Sequence, residues 1–70
     1  MGQNVLIGVR GLNDEASTQR VIGSLKDMKG VEQVRKGDSS QLEVTYDASQ
    51  LTVMDLIRKI REQGFLAGML

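Results

Sequence analysis

The sequence predicts an α+β fold in which a four-stranded antiparallel sheet carries two helices on one face. Three observations support this: apolar residues alternate in strand-like segments, they recur at helical spacing in two others, and glycine-rich or polar runs separate the segments. The resulting order, strand–helix–strand–strand–helix–strand, gives the ferredoxin-like split unit when crossovers are right-handed. We expect residues 1–70 to form a single domain, because a chain of this length can bury only one modest core.

The first strand is predicted over residues 4–9, where apolar residues occupy every second position. These residues are Val5, Ile7 and Val9. Gly11 ends the strand. The polar run Asn13-Asp14-Glu15 then supplies the capping oxygens and negative charge that a helix N-terminus favours.

The first helix is predicted over residues 15–29, because apolar side chains recur there at helical spacing. These side chains are Val21, Ile22, Leu25 and Met28. Gly30 follows as the left-handed residue that commonly ends a helix. Gly23 is unfavourable inside a helix, so we interpret it as a place where the helix closely approaches the sheet.

A β-hairpin is predicted in the middle of the chain. Its first strand covers residues 31–35, and Val31 and Val34 are its apolar residues. The glycine-containing polar run 36–40 forms the turn. The second strand covers residues 41–46, where inward apolar residues alternate with outward polar ones. The inward residues are Leu42, Val44 and Tyr46.

The second helix begins at Thr52, because Asp55 three residues later completes a capping box. Its apolar residues follow one face of a helix. They are Val53, Leu56, Ile57 and Ile60. Gly64 ends the helix, and residues 65–70 form the last strand.

Three leucines are out of step with the alternation of their strands: Leu6, Leu66 and Leu70. Two explanations are open. Either the sheet face opposite the helices is partly apolar, which often marks a contact surface, or the strand boundaries are shifted by one residue.

Charge and composition exclude several function classes. The 9 basic and 9 acidic residues cancel, and Tyr46 and Phe65 are the only aromatic residues, so we expect no nucleic-acid partner. Without histidine or cysteine, the common acid–base and nucleophilic constellations cannot be assembled, so we expect no enzyme and no cofactor. No apolar run reaches the length of a membrane span, and the expected location is cytoplasmic.

Four short motifs lie at the junctions of the predicted elements: Val9-x-Gly11-Leu12, Lys29-Gly30-Val31-x-x-Val34, Val44-x-Tyr46-Asp47 and Ile60-x-x-x-Gly64-Phe65. Their joint spacing, from about Val5 to Leu66, resembles the heavy-metal-associated domain, a family of small copper chaperones and N-terminal domains of metal-transporting ATPases. The resemblance implies a metal-binding loop between the first strand and the first helix. It also implies that Phe65 packs beside that loop, and we expect a core role for this ring.

The loop itself departs from the family pattern G-M-x-C-x-x-C. Position by position, Leu12 stands at the methionine, and Asp14 and Ser17 stand at the two cysteines. Soft ions select thiolate ligands, so the family's copper binding is not implied and we expect a degenerate member. Asp14, Glu15 and Ser17 are weak candidates for a hard-cation site, but helix capping is the commoner role of such carboxylates.

The main functional hypothesis is a non-catalytic protein-interaction or regulatory module that binds a protein partner or itself. Under the family topology the last strand is a sheet edge, and exposed edges pair readily with other chains. The candidate interaction residues are Phe65, Leu66, Ala67, Met69 and Leu70. Two alternatives stay open: metal binding or transport through non-thiol ligands in the Gly11–Ser17 loop, and a small-molecule-sensing regulatory domain with its ligand near Gly11 to Asp14.

Overall fold

A computed structural model of the chain describes residues 2–38 and 40–70. Met1 and Ser39, the latter in the predicted turn, lie outside the described residues. The elements are β1 (Gly2–Arg10), α1 (Glu15–Lys26), β2 (Val31–Lys36), β3 (Gln41–Asp47), α2 (Val53–Arg61) and β4 (Leu66–Met69). This order confirms the predicted ferredoxin-like fold. Over the residues described, neither helix is long and apolar enough to cross a membrane.

The strands form one antiparallel sheet in the order β2-β3-β1-β4, so β2 and β4 are its two edges. In the centre, Val5 lies opposite Val44 and Ile7 lies opposite Leu42. Because alternate residues of a strand share a face, these pairs build one apolar sheet face.

Both helices pack against this apolar face and bury most of the residues that the alternation and the helical spacing predict. Of the predicted residues, Val5, Met28 and Val53 are half-buried against the core, and Leu51 is buried without having been predicted. The buried apolar residues are Ile7, Val9, Val21, Ile22, Leu25, Val34, Leu42, Val44, Tyr46, Leu51, Leu56, Ile57 and Ile60. The predicted capping box also forms. The Thr52 N–H donates to Asp55 Oδ2 at 2.9 Å, and the Asp55 N–H donates to Thr52 Oγ1 at 3.3 Å.

The first helix ends earlier than its apolar spacing predicts. It stops at Lys26 because the chain then forms tight turns, in which the Met28 N–H donates to the Leu25 carbonyl at 3.0 Å. Gly30 has the predicted left-handed conformation, with φ of +103°, but it lies in the turn that leads into β2.

A β-bulge explains the unusual spacing of the apolar residues in β2. The register with β3 shifts between Val31 and Gln33, and the extra residue lets side chains three positions apart face the same side. Val34 is buried and Val31 is half-buried against the core.

Gly23 does not approach the sheet, so that part of the sequence interpretation is wrong. It lies exposed on α1, and a Cβ added there would meet no atom within 4 Å. The buried face of the helix is formed by other residues, which are Thr18, Val21, Ile22 and Leu25.

The variant Gly23→Ala should therefore stabilise the domain. Alanine removes the entropic cost of glycine in a helix, a gain of about 0.5–1 kcal/mol. Urea denaturation followed by circular dichroism measures the difference. Gly30→Ala is the matched control and should destabilise, because φ is +103° there and the new Cβ would lie 3.0 Å from Gln50 Cβ. A Gly23→Ala midpoint at or below that of the unaltered chain would contradict the prediction.

Candidate functional site

The loop between β1 and α1 is shaped by a glycine and an aromatic ring. Gly11 has φ of +99°, which glycine adopts at little cost. A Cβ added at Gly11 would lie 3.1 Å from Phe65 Cδ1, so the ring lies directly against the loop. Phe65 and Leu12 are both half-buried and pack against the core. The ring therefore supports the loop and the core at once.

Asp14 caps α1 and ties the loop to the first helical turn. Its Oδ1 accepts a hydrogen bond from the Ser17 N–H at 2.7 Å. Its carbonyl oxygen accepts from the Thr18 hydroxyl at 2.9 Å. Hydrogen bonds from Ser17 lower the pKa of the Asp14 carboxyl, because they stabilise its charged form. Asp14 and Ser17 are thus bonded to each other, side chain to main chain.

The candidate hard-cation ligands lie at this helix start. Asp14 and Glu15 are exposed, and Ser17 is half-buried. In the part of the chain that the structure describes, no three His, Cys, Asp or Glu side chains come together as a metal site would require. The capping role of Asp14, which the sequence favours, is observed directly, and a hard-cation site stays the less favoured alternative.

The sheet face opposite the helices carries the three out-of-step leucines. Leu6, Leu66 and Leu70 are 44%, 62% and 69% exposed. Leu6 and Leu70 are neighbours, because the Leu70 N–H donates to the Leu6 carbonyl at 3.1 Å. The first of the two explanations holds: this open face is partly apolar.

Away from β4 the open face is polar. The Thr45 hydroxyl donates to Asn4 Oδ1 at 2.5 Å. Arg35 forms an exposed ion pair with Glu43, with 3.5 Å between Nη2 and Oε1. The apolar surface is therefore confined to the β1–β4 side of the sheet.

A groove of about 580 Å³ crosses this side of the sheet, and its lining combines apolar residues with charged ones such as Arg10. It forms where Gly8 of β1 lies opposite Gly68 of β4, so that neither strand contributes a side chain on the open face. Leu66 and Leu70 line it, and Leu70 Cδ2 would lie 3.1 Å from a Cβ added at Gly8. Sequence reasoning missed this groove. The signal was a glycine at an outward position of each strand, but their register was unknown.

The five candidate interaction residues lie on β4 and its two flanking positions. Leu66, Met69 and Leu70 are exposed, whereas Phe65 and Ala67 are half-buried and pack against the core. The structure thus gathers them at one edge of the sheet, and their role in an interaction stays a prediction.

Comparison with protein families finds one match: the family model of the heavy-metal-associated domain matches residues 6–65. The match includes the loop before α1 and extends to Phe65. No curated protein matches the chain.

Several solved structures are similar over nearly the whole chain. The yeast copper transporter domain CCC2A is 26% identical, with a TM-score of 0.88 and coverage of 96% of this chain and 93% of that one. A copper binding domain from HMA7, a P-type ATPase, is 24% identical, with a TM-score of 0.92 and coverage of 100% and 95%. Oxidized MerP from Ralstonia metallidurans CH34 is 23% identical, with a TM-score of 0.91 and coverage of 99% and 97%. At their lower identities the last two show the fold alone.

Proposed function

Because this chain belongs to the heavy-metal-associated domain family, we propose that it is a non-catalytic protein-interaction or regulatory module whose metal loop no longer carries a soft ion. We expect this module to act in the cytoplasm, as the sequence predicts. Its interaction surface is the β4 side of the open sheet face.

The hydrogen bond between Asp14 and Ser17 is the observation that carries the proposal. These residues stand at the two cysteine positions of the family, and the chain contains no cysteine. Soft ions such as Cu(I) select thiolates over carboxylates and hydroxyls. Here the Asp14 carboxylate is already engaged as the cap of α1, with 2.7 Å between Oδ1 and the Ser17 nitrogen. This arrangement supports a loop whose role is structural.

The exposed side of β4 supports the interaction part of the proposal. Leu66, Met69 and Leu70 are each more than 60% exposed, with values of 62%, 63% and 69%. Exposed apolar side chains grouped in this way are characteristic of contact sites. Leu66 and Leu70 lie on the same side of the sheet as Gly8 and Gly68, whereas Met69 pairs with Ile7 and lies on the helix side of the same edge.

A Cu(I) titration tests the loss of metal function. Under anaerobic conditions, with a chromophoric competing ligand, the unaltered chain should retain no Cu(I). Calorimetry with Zn²⁺ and Ca²⁺ covers the non-thiol alternative. Stoichiometric capture of Cu(I), or Zn²⁺ or Ca²⁺ binding that Asp14→Ala abolishes, would overturn the proposal in favour of metal handling.

Native size-exclusion chromatography of the tagged chain in its host tests the interaction. The chain should elute in a complex above its monomer mass of 7.7 kDa. Leu66→Lys should remove the complex, while Met54→Lys should leave it intact, because Met54 is exposed on α2, outside the β4 surface. Equal behaviour of the two variants would count against the β4 surface.

A further inference from the structure

The two edges of the sheet differ in their protection against pairing. The β2 edge has a bulge between Val31 and Gln33 and carries the charged residues Glu32, Arg35 and Lys36. Bulges and charged side chains are two of the devices by which proteins block an edge. The β4 edge, Leu66–Met69, contains no charged residue, and its pairing with β1 is regular. The β4 edge therefore lacks both devices.

The hydrogen bonds between β1 and β4 indicate which main-chain groups of β4 point outward from the sheet. The Leu70 N–H donates to Leu6, so the even-numbered residues of this segment direct their main-chain groups at β1. Because these groups alternate along an antiparallel strand, Ala67 and Met69 direct their N–H and carbonyl groups outward. On the other side of β1, the Val9 N–H donates to the Ser40 carbonyl at 2.7 Å, consistent with the same alternation.

We propose that β4 pairs antiparallel with β4 of a second copy of this chain, about a two-fold axis at Gly68. The proposal rests on the proposed function and names the partner of the same surface. Ala67 of each copy then exchanges main-chain hydrogen bonds with the other copy's Met69. The two sheets become one continuous sheet, and neither copy keeps its unprotected edge.

The face pattern selects this register. Residues opposite each other in an antiparallel pair share a face, and Leu66, Gly68 and Leu70 face the open side. With Gly68 on the axis, Leu66 of each copy meets Leu70 of the other, and Leu6 extends the apolar contact on both sides. A slip of one residue would oppose open-face and helix-face side chains. A slip to an axis at Ala67 would place Leu66 opposite glycine and leave Leu70 without a counterpart.

Charge does not oppose the pairing. The chain has a formal net charge of 0, and β4 contributes no charged side chain to either half of the contact. The contact is small, because each strand contributes few residues. We therefore expect a weak dimer with a dissociation constant between about 10 µM and 1 mM.

Sedimentation equilibrium across that concentration range is the first test. The unaltered chain should convert from monomer to dimer, and NMR shift changes on concentration should cluster in β4. Ala67→Pro should abolish the dimer without breaking the β1 pairing, because the Ala67 N–H faces outward, where proline is tolerated. The control Met54→Lys should dimerise like the unaltered chain. Circular dichroism confirms that both variants are folded.

A disulfide reporter tests the register. The chain has no cysteine, so Gly68→Cys introduces a single thiol at the axis, where a Cβ would meet no atom within 4 Å. Non-hydrogen-bonded antiparallel pairs bring Cα atoms to about 4.5 Å, which suits a disulfide. Gly23→Cys is the matched control, since its Cβ also meets no atom within 4 Å. Gly68→Cys should form covalent dimers at least about tenfold faster than Gly23→Cys at equal concentration.

The outcomes separate this inference from the proposed function. A strict monomer at 1 mM, or equal crosslinking of the two cysteine variants, overturns self-pairing. So does a dimer that Ala67→Pro leaves unchanged, because that dimer uses another surface. If the chain is monomeric but Leu66→Lys removes a complex with a different protein, self-pairing fails and the proposed function stands. Stoichiometric Cu(I) capture overturns the proposed function without bearing on the dimer.

Discussion

Replacing Asp14 and Ser17 together by cysteine is expected to give the chain a site for one Cu(I) ion. The first turn of α1 already brings the two positions together, since the Asp14 side chain reaches the Ser17 nitrogen at 2.7 Å. A helix N-terminus also lowers thiol pKa values and so favours the thiolate that binds metal. Zinc-finger peptides, which supply four ligands, bind Zn²⁺ with apparent free energies of about 10–16 kcal/mol, and two thiolates supply part of such a ligand set. We therefore expect a gain of several orders of magnitude in metal affinity.

Anaerobic titration against a chromophoric competing ligand measures this gain. The single variants Asp14→Cys and Ser17→Cys should each bind far more weakly, because one thiolate cannot complete a two-sulfur site. The double variant Asp14→Ala with Ser17→Ala controls for loss of the cap and should not bind. If the double cysteine variant is folded and still retains no Cu(I), the loop has lost the family geometry as well as its ligands.

The variant Leu56→Ala is expected to unfold much of the population at room temperature. Leu56 is 0% exposed on α2 and lies in the centre of the core. Truncating a buried leucine to alanine costs about 2–5 kcal/mol, from lost burial and the cavity left behind. A core in a chain this short rarely supplies more than about 3–5 kcal/mol of net stability. Urea denaturation followed by circular dichroism measures the loss.

Met54→Ala is the matched control on the same helix. Met54 is 56% exposed, so its truncation should change the free energy of unfolding by no more than about 0.5 kcal/mol. A Leu56→Ala curve that overlays the control would mean that α2 does not pack as the structure describes. The positions of the loop and of β4, which depend on that packing, would then also lose their support.

Local signals in the sequence were sufficient for most of the fold. The alternation in β1 and β3 predicted which side chains are buried, and the Thr52–Asp55 box predicted the start of α2. The end of α1 could not be predicted from spacing, because Met28 continues the apolar pattern while the chain already turns. The interpretation of Gly23 was wrong because whether a helical glycine faces the sheet or the solvent depends on the rotation of the helix about its axis.

The candidate site was predictable only in part. The polar run before α1 indicated a cap, and the structure shows that Asp14 is the residue that serves as one. The relation between Gly8 and Gly68 depends on the β1–β4 register, which local patterns do not determine. Sequence alone could not decide whether Leu66 and Leu70 are exposed on the open face, because a shift of the strand boundaries by one residue would place them on the helix face. The groove and the apolar surface therefore depend on the pairing of β1 with β4, which cannot be predicted from local sequence patterns.

The cap at Asp14 has a consequence for the conditions under which the loop keeps its shape. Cysteine loops change state when their sulfur atoms are oxidised, whereas a carboxylate oxygen bonded to a main-chain amide has no such chemistry. Peroxide or metal starvation would leave nothing to alter in the contact between Asp14 and Ser17. The start of α1 therefore keeps the same conformation under oxidising and reducing conditions.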